Sequence, residues 1–342
     1  CSSDLLWAMQ SIAHGADTVL FFRWRSCAMG TEQYWHGILP HSGVPGRYYR
    51  EIRAFMEEAG PLLRGIQGSM PAKEAAILFS YDQDYAMAIQ PHHPDLRYVP
   101  HLMTCYGALH RRNIPTDFVR EEDDWTGYRV LFAPFQFLMT PALADRLYAF
   151  AEAGGTLVLD FRCGVKDEHN LAITEDELPG LLHGLCGLRV TEYDCLRDVE
   201  GLVRWDGQDM PCSKWCDLLA LDGAEALAVY GHGFYAGTPA ITRYQQGKGF
   251  VYYAGTEMSP PLADRLVTEL MDHSGLAPLL ETPFGVEAAQ REGNGVRWLF
   301  LINHTGEAQR VEVPAEWQPC RKTAPESLAP YSWSVYRREV AP

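Results

Sequence analysis

The first 63 residues combine helical and strand-like hydrophobic patterns. Residues 5–14 are predicted as a helix, and residues 17–24 (DTVLFFRW) form an apolar, β-rich run typical of a strand buried on both faces. A second helix is predicted from apolar side chains at helical spacing, with Gly60-Pro61 as its stop signal. Its apolar positions are Ile52, Phe55, Met56 and Ala59. The strand has no neighbours within this zone, so we expect its partner strands to lie upstream.

From about residue 64 to residue 278, short apolar segments alternate with helical ones. The predicted strands cover residues 75–81, 130–135, 156–161, 226–230 and 249–254. The predicted helices lie within residues 96–113, at 141–152 and at 261–274. This alternation is typical of a largely parallel sheet with helices on both faces, as in flavodoxin-like α/β domains.

The last zone, residues 279–342, is predicted to be a small antiparallel β domain. Two apolar segments, 285–291 and 296–302, flank Gly293-Asn294-Gly295, which is a strong hairpin signal. Two further short strands are predicted at residues 309–313 and 332–337. An antiparallel piece of about 60 residues is marginally stable alone. We therefore expect it to dock on the rest of the chain.

Composition narrows the possible partners. Hydrophobic residues make up 47% of the 342 positions, which indicates a globular protein with more than one domain. The formal net charge is −15 and no basic stripe offsets it, so a nucleic-acid partner is not expected. The longest apolar runs are strand-sized, and we predict no membrane span.

Nine scattered cysteines favour reduced thiols and a cytoplasmic location over a disulfide framework. Cys212 and Cys216 are the closest pair. A C-x-x-x-C spacing with no histidine or further cysteine nearby in sequence is a weak zinc signal. We therefore interpret both as structural thiols.

Several segments resemble family 42 glycoside hydrolases, the β-galactosidases. The first is the stretch at residues 6–26 (LWAMQSIAHGADTVLFFRWRS), followed by residues 30–33 (GTEQ) and 35–37 (WHG). Residues 164–170 (GVKDEHN) and 192–194 (EYD) resemble the trimerisation domain of that family. The last zone is similar to its C-terminal β domain. These similarities follow the family's order along nearly the whole chain.

The resemblance implies an architecture and a chemistry. It implies the end of a (β/α)8 barrel in residues 1–63, an α/β trimerisation domain in 64–278 and a small β domain in 279–342. It also implies a galactoside substrate, retaining hydrolysis and a homotrimer. Retaining glycosidases use two carboxylates about 5–5.5 Å apart. The family's two glutamates follow the fourth and seventh barrel strands. If residues 17–24 are the eighth strand, both glutamates precede residue 1, so we expect no catalytic residue in this chain.

The same resemblance predicts no cofactor and no metal, because the cysteine-rich metal site of some family members belongs to the barrel. The rival interpretation is a non-catalytic module that mainly holds subunits together. The mass of the intact polypeptide separates a fragment from a full enzyme, which would be roughly twice as large.

Glu32 and His36 are the best candidates for contacts to the sugar. They follow the predicted barrel strand, at the barrel face that carries function. A carboxylate and an imidazole form directional hydrogen bonds with hydroxyls. The alternative is an ordinary polar loop. The family spaces such a pair as E-x-x-H, whereas this chain has E-x-x-x-H.

For each residue at the end of the predicted strand, two roles are compatible with the sequence. Trp24 could cover the apolar face of a sugar or be a barrel-core aromatic. Arg23 or Arg25 could orient a carboxylate or simply pair with an acidic neighbour.

In the middle domain, Asp82 and Asp84 follow the first strand, where such sheets bind ligands, but a helix cap or solvated turn is favoured over a cation site. The domain also resembles class I glutamine amidotransferases in architecture. Cys163 follows a strand, but Phe161-Arg162-Cys163-Gly164 lacks the G-x-C-x-G turn that exposes a nucleophile, so we predict no such activity.

Overall fold

A computed structural model describes residues 2–197, 199–320 and 327–340. The chain forms two compact units. One consists of Cys1–Ala72 together with Pro278–Pro342, and the other consists of Lys73–Ala277. Among the described residues, no helix is both long enough and apolar enough to span a bilayer.

The helices and strands of the described residues are numbered in chain order. The α-helices are α1 (Ser2–Ala13), α2 (Arg47–Ile66), α3 (Tyr81–Ile89), α4 (Tyr98–His110), α5 (Pro141–Glu152), α6 (His183–Cys186) and α7 (Pro260–Ser274). The strands are β1 (Met70–Pro71), β2 (Ala75–Leu78), β3 (Thr116–Val119), β4 (Val130–Ala133), β5 (Thr156–Asp160), β6 (Leu188–Asp194), β7 (Gly201–Trp205), β8 (Gln208–Leu221), β9 (Glu225–Tyr230), β10 (Pro239–Gln246), β11 (Gly249–Ala254), β12 (Thr256–Met258), β13 (Val286–Gly293), β14 (Val296–Asn303), β15 (Gln318–Pro319) and β16 (Trp333–Glu339).

The predicted strand at residues 17–24 is wrong. These residues form no strand, and Leu20 and Phe22 are 89% and 71% exposed. A strand needs a partner for its amide and carbonyl groups. Among the described residues no strand pairs with this segment. One side of the run is therefore exposed, whereas Val19 and Phe21 on the other side pack against the hydrophobic cluster of this unit.

Helix α2 continues beyond its predicted stop. Pro61 lies inside α2, which ends only at Ile66. A proline in a helix interior removes one hydrogen bond and crowds the preceding turn. Apolar burial offsets that cost, because Ile66 is as buried as Ile52 and Phe55 and extends the same packed face.

The C-terminal sheet packs against the two N-terminal helices, in one hydrophobic cluster. Met9 and Ile12 of α1 and Phe55 of α2 meet Trp298 and Phe300 of β14 in that cluster. This confirms the prediction that the small C-terminal piece docks on another part of the chain. The sheet order is β1–β13–β14–β16–β15.

The predicted hairpin between β13 and β14 is confirmed. Gly293 pairs with Val296, which leaves Asn294 and Gly295 as a two-residue loop. Both loop residues have positive φ, 53° and 74°, as a type I′ turn requires. The strand predicted at residues 309–313 is wrong, because only Gln309 forms an isolated bridge. Val311 and Val313 instead pack on the sheet through their side chains. The alternating apolar positions are thus partly buried although the segment forms no strand hydrogen bonds.

The second unit is built on one large mixed sheet. Its parallel half has the order β3–β2–β4–β5–β11, and two hydrophobic clusters cover its opposite faces. Phe132 points into the cluster that contains α4 and α7, and the adjacent Leu131 points into the cluster that contains α5. This half confirms the predicted α/β architecture.

The other half of the sheet is antiparallel and continues from β11 through β10, β9, β7 and β8 to β12. Strand β6 also pairs with β8. The sequence analysis identified only β9 and β11 from this region. In β8, Pro211 and a bulge interrupt the alternation that would have revealed the strand.

Candidate functional site

The loop at residues 23–41 carries all the sugar-site candidates. It is closed by backbone hydrogen bonds between its two arms. The Ile38 amide donates to the Arg23 carbonyl at 2.7 Å, and the Leu39 amide donates to the Trp24 carbonyl at 2.8 Å. The Ser26 amide donates to the Leu39 carbonyl at 3.0 Å. The loop is therefore ordered at its base by its own backbone.

Gly37 permits this close approach of the arms. A Cβ atom there would lie 2.4 Å from the Ser26 nitrogen and 2.5 Å from the Arg25 carbonyl carbon, well inside contact distance. The Gly37 amide also donates to the Ser26 hydroxyl at 3.0 Å. Any side chain at this position would force the arms apart.

Arg23 and Glu32 are brought together in this loop. The Arg23 guanidinium donates to Glu32 Oε2 as an ion pair. The Glu32 side chain is 52% exposed, and no other hydrogen bond reaches its carboxylate within the described residues. Its second oxygen therefore remains open to solvent or to a ligand. The sequence analysis had left Arg23 between orienting a carboxylate and pairing with one, and this contact fits either reading.

His36 occupies a different place from Glu32. It lines a cleft of about 510 Å³ together with Ser26, Tyr34, Trp35 and Tyr48. Arg23, Trp24 and Glu32 do not line that cleft. The structure thus joins Arg23 to Glu32 but does not join either of them to His36.

Trp24 is 62% exposed and contacts Tyr49 of α2 edge-on, with ring centroids 6.3 Å apart. Within the described residues it is no core aromatic. An exposed indole face at a loop is available for stacking on an apolar surface.

A second candidate region, which the sequence analysis missed, follows β5 in the other unit. Arg162 is 5% exposed and has φ = 60°. Its guanidinium lies between two rings, 4.5 Å from the centre of Phe137 and 4.6 Å from that of Trp215. It donates to His92 Nδ1 at 3.1 Å and to the Pro91 carbonyl at 3.3 Å. A cation stacked between aromatic faces is stabilised by their quadrupoles.

This region forms an electropositive cleft of about 280 Å³. Burial lowers the pKa of Arg162 to about 10. Burial, followed by repulsion from Arg162, lowers the pKa of Lys166 and of His92. Neither Arg162 nor Lys166 forms an ion pair with a carboxylate of the described residues. Lys166 instead donates to side-chain oxygens of Gln90 and Asn170 at 2.9 and 2.8 Å.

Asp217 lies buried at the base of the same cleft. Its carboxylate accepts hydrogen bonds from the Trp215 indole and the Tyr253 hydroxyl, both at 2.8 Å, and from the Arg162 amide at 3.1 Å. Burial raises the pKa of Asp217 against the effect of these donors. The short motif Trp215-x-Asp217 was the only local signal that could have revealed it.

Asp217→Asn should destabilise the Lys73–Ala277 unit. The amide NH2 group cannot accept a hydrogen bond, so at least one of three buried donors loses its partner, at about 1–3 kcal/mol. Urea unfolding of this unit measures the change. As a control, Asp222→Asn alters an exposed partner of His183 and should stay within about 0.5 kcal/mol. Equal effects of the two substitutions would contradict a structural role for the Asp217 network.

The remaining candidate residues of this unit have ordinary structural roles. Asp82 and Asp84 lie in the first turn of α3, where the Ser80 hydroxyl accepts from the Asp82 amide at 3.2 Å. Acidic residues there favour the helix dipole. Cys163 is 1% exposed, and burial raises the pKa of its thiol. A buried, protonated thiol is not an activated nucleophile.

Three family models match successive parts of the chain. Residues 3–61 match "Beta-galactosidase", residues 73–277 match "Beta-galactosidase trimerisation domain", and residues 285–338 match "Beta-galactosidase C-terminal domain". The middle match alone covers more than half of the chain. The chain belongs to the family 42 β-galactosidases.

Known family 42 proteins resemble the chain along most of its length. β-Galactosidase BgaA of Clostridium cellulovorans is 34% identical over 307 residues, which cover 90% of this chain and 46% of BgaA. BgaH of Haloferax lucentense is 35% identical, with 90% of this chain and 45% of BgaH covered. The β-galactosidase structure from Bacillus circulans sp. alkalophilus superposes with a TM-score of 0.93 at 30% identity, covering 97% of this chain and 51% of that one.

The chain therefore spans about half the length of the family 42 relatives that it matches. Its matched segments follow the order of the "Beta-galactosidase", trimerisation-domain and C-terminal-domain models. This confirms the resemblance drawn from residues 6–26, 164–170 and 192–194.

Proposed function

We propose that this chain is the C-terminal half of a β-galactosidase that hydrolyses terminal β-D-galactosides with retention of configuration. The observation that carries the proposal is the ordered match of residues 3–338 to three consecutive domain models of family 42. Retaining enzymes use two carboxylates as nucleophile and acid/base. Under this proposal, both belong to the barrel portion that precedes residue 1 of this chain.

In this proposal the loop at residues 23–41 completes the sugar site. The Glu32 carboxylate is held on one side by Arg23 and keeps one oxygen open, which suits a sugar hydroxyl. The exposed ring of Trp24 supplies a stacking surface in the same loop. His36 lines an adjacent cleft and would add a donor or an acceptor at its edge.

The rival function is that of a non-catalytic assembly module. The match of residues 73–277 to a trimerisation domain favours an assembly role for that unit. The two functions are compatible, because one chain can hold subunits together and still contribute a loop to the active site.

A fusion tests the enzymatic proposal. The N-terminal portion of BgaA, which this chain does not span, is joined in frame to residues 1–342. We expect the fusion to hydrolyse a chromogenic β-galactoside and to release β-galactose first, as retention requires. A folded fusion without activity, alongside active BgaA as the reference, would contradict the proposal.

Glu32→Gln and His36→Ala in that fusion should each lower kcat/KM by roughly ten- to a few-hundred-fold. A buried hydroxyl that loses its acceptor costs about 1–3 kcal/mol. Stability should barely change, because the Glu32 side chain is half-exposed and a partly exposed ion pair contributes little. Glu175→Gln, at an exposed position of the other unit, is the matched control and should leave hydrolysis unchanged. If both substitutions leave hydrolysis within about twofold, this loop makes no important sugar contact.

The assembly role predicts a homotrimer. The unit Lys73–Ala277 should hold three copies in a closed ring, as cyclic symmetry permits. Light scattering at micromolar concentration should therefore give three times the 38.5 kDa chain mass. A monomer mass that persists at this concentration would contradict the prediction.

A further inference from the structure

Two cysteines and a histidine converge in the antiparallel half of the large sheet. Cys212 and Cys216 lie on β8, and His232 lies in the loop between β9 and β10. One ligand atom from each, the two Sγ atoms and a ring nitrogen, all lie within 4.8 Å of one another. The sequence analysis dismissed the cysteine pair because no histidine lies near it along the chain. The fold supplies one.

A β-bulge brings the two thiols together. Cys212 pairs with Met258 and Cys216 pairs with Thr256, so four residue steps on β8 oppose only two on β12. Lys214, with φ = 65°, takes up the extra length. In a regular strand, residues four apart lie about 13 Å apart. The bulge shortens this separation and leaves both thiols on the same side.

The imidazole is oriented toward the thiols. His232 Nδ1 lies 3.1 Å from the Leu202 carbonyl oxygen, so in one tautomer an Nδ1–H donor holds the ring. In that tautomer Nε2 carries the lone pair, 2.9 Å from the Tyr235 hydroxyl. Metal-binding histidines commonly use this arrangement. A Cβ atom on Gly201 would lie 2.8 Å from both Cys212 Sγ and His232 Nε2. The absence of a side chain at Gly201 therefore leaves room for both ligand atoms.

A metal-free hydrogen-bond network is the competing explanation. The Leu202 amide lies 2.9 Å from His232 Nδ1, and in the other tautomer Nε2–H donates to the Tyr235 hydroxyl, also at 2.9 Å. Tyr235 in turn donates to Asp194 at 2.9 Å. This network satisfies the imidazole without a metal. It gives no reason, however, for two buried thiols to face the same ring nitrogen.

We propose that Cys212, Cys216 and His232 bind a zinc-class divalent ion, with water in the fourth position of a tetrahedral site. Two thiolates and one imidazole are a ligand set that zinc prefers. The Tyr235 hydroxyl donates to Asp194 at 2.9 Å and is not counted as a ligand.

Binding would link the β9–β10 loop to the middle of β8. Each thiol that ligates the ion releases its proton, so two protons leave for each zinc bound and the affinity falls as the pH falls. Because only the folded chain brings the three ligands together, the ion should also stabilise the fold.

Cobalt binding tests the proposal with a readout independent of catalysis. The chain is stripped with a chelator, kept reduced without oxygen and titrated with Co²⁺. We expect one ion per chain, with visible d–d bands of tetrahedral cobalt and a near-ultraviolet thiolate charge-transfer band. Zn²⁺ should displace cobalt and raise the melting temperature. Cys212→Ser and His232→Ala should each weaken binding beyond the 10- to 100-fold typical of a lost outer-shell contact.

Two control variants make the result specific. Cys195→Ser removes a half-buried thiol elsewhere in the unit and should leave the cobalt spectrum unchanged. Tyr235→Phe should also retain binding, since water fills the fourth position. The proposal is overturned if the folded, reduced chain gives no cobalt bands and no metal above the buffer blank. It is equally overturned if Cys195→Ser abolishes the bands as fully as Cys212→Ser does.

Discussion

The 342-residue chain alone should show no measurable hydrolysis of a chromogenic β-galactoside. Retaining hydrolysis needs one carboxylate to form the glycosyl intermediate and another to protonate and deprotonate the oxygens around it. We propose that both lie N-terminal to this chain. Enzymes accelerate such reactions by at least about 10⁶-fold, so their loss leaves only background.

The assay compares the purified chain with the BgaA fusion at equal molar concentration, and circular dichroism confirms that both are folded. Activity that co-purifies with the chain through successive columns, at a constant specific rate, would contradict this prediction. It would then require a pair of carboxylates within residues 1–342, and a search among the acidic residues of both units.

Arg291→Met should destabilise the unit formed by the two ends of the chain by about 2–4 kcal/mol, because buried and half-buried carbonyl acceptors lose their donor. Arg291 is fully buried on β13. One guanidinium nitrogen donates to the carbonyls of Ile12 and Ala16 at 2.8 and 3.0 Å, and the other donates to Asp17 and to the Ser69 carbonyl, both at 2.7 Å. Methionine fills a similar volume but donates to none of these four acceptors.

Urea unfolding should show this loss as a midpoint lowered by about 1–3 M, given typical denaturant slopes. Hydrogen exchange of β13 and β14 locates the change in the correct unit. Arg297→Met on the neighbouring strand β14 is the control. It breaks only a partly exposed pair with Glu292 and should cost about 0–1 kcal/mol. Similar losses for the two variants would show that Arg291 has no special role.

The Arg291 contact also has a pH signature. A hydrogen bond from Arg291 lowers the pKa of Asp17 in the folded chain. A lowered carboxyl pKa stabilises the fold above the unfolded value of about 3.9, and this contribution disappears as the pH falls through the folded value. The difference between the parent and Arg291→Met should therefore narrow in acid, below about pH 4. The carbonyl contacts do not titrate, so part of the difference should remain.

The sequence by itself determined the features whose cause is local. The Asn294-Gly295 turn required only two residues that tolerate positive φ, and the hairpin formed where it was predicted. Strands β2, β4 and β5 were identified because runs of apolar residues between helical segments need burial on both faces. The family was identified from the order of its segments, which is a property of the chain alone.

Tertiary structure decided everything that depends on a distant partner. Residues 17–24 have the composition of a buried strand, yet Leu20 and Phe22 are exposed because no described strand stands beside the segment. Pro61 is tolerated in α2 because Ile66 is buried by other parts of its unit. Composition reports what a segment can gain from burial, but not whether a neighbour exists to bury it.

The candidate sites also combine features that the sequence predicts with features that only the fold determines. Glu32 could be proposed from its place after a predicted strand, but its ion pair with Arg23 is visible only in the folded loop. Arg162 and Asp217 were missed because the rings and donors around them come from segments far apart in sequence. Cys212 and Cys216 became a candidate metal site only when a bulge and the β9–β10 loop brought His232 to them. Polar sites depend on positions in space to within an ångström or so, and a linear pattern does not specify those positions.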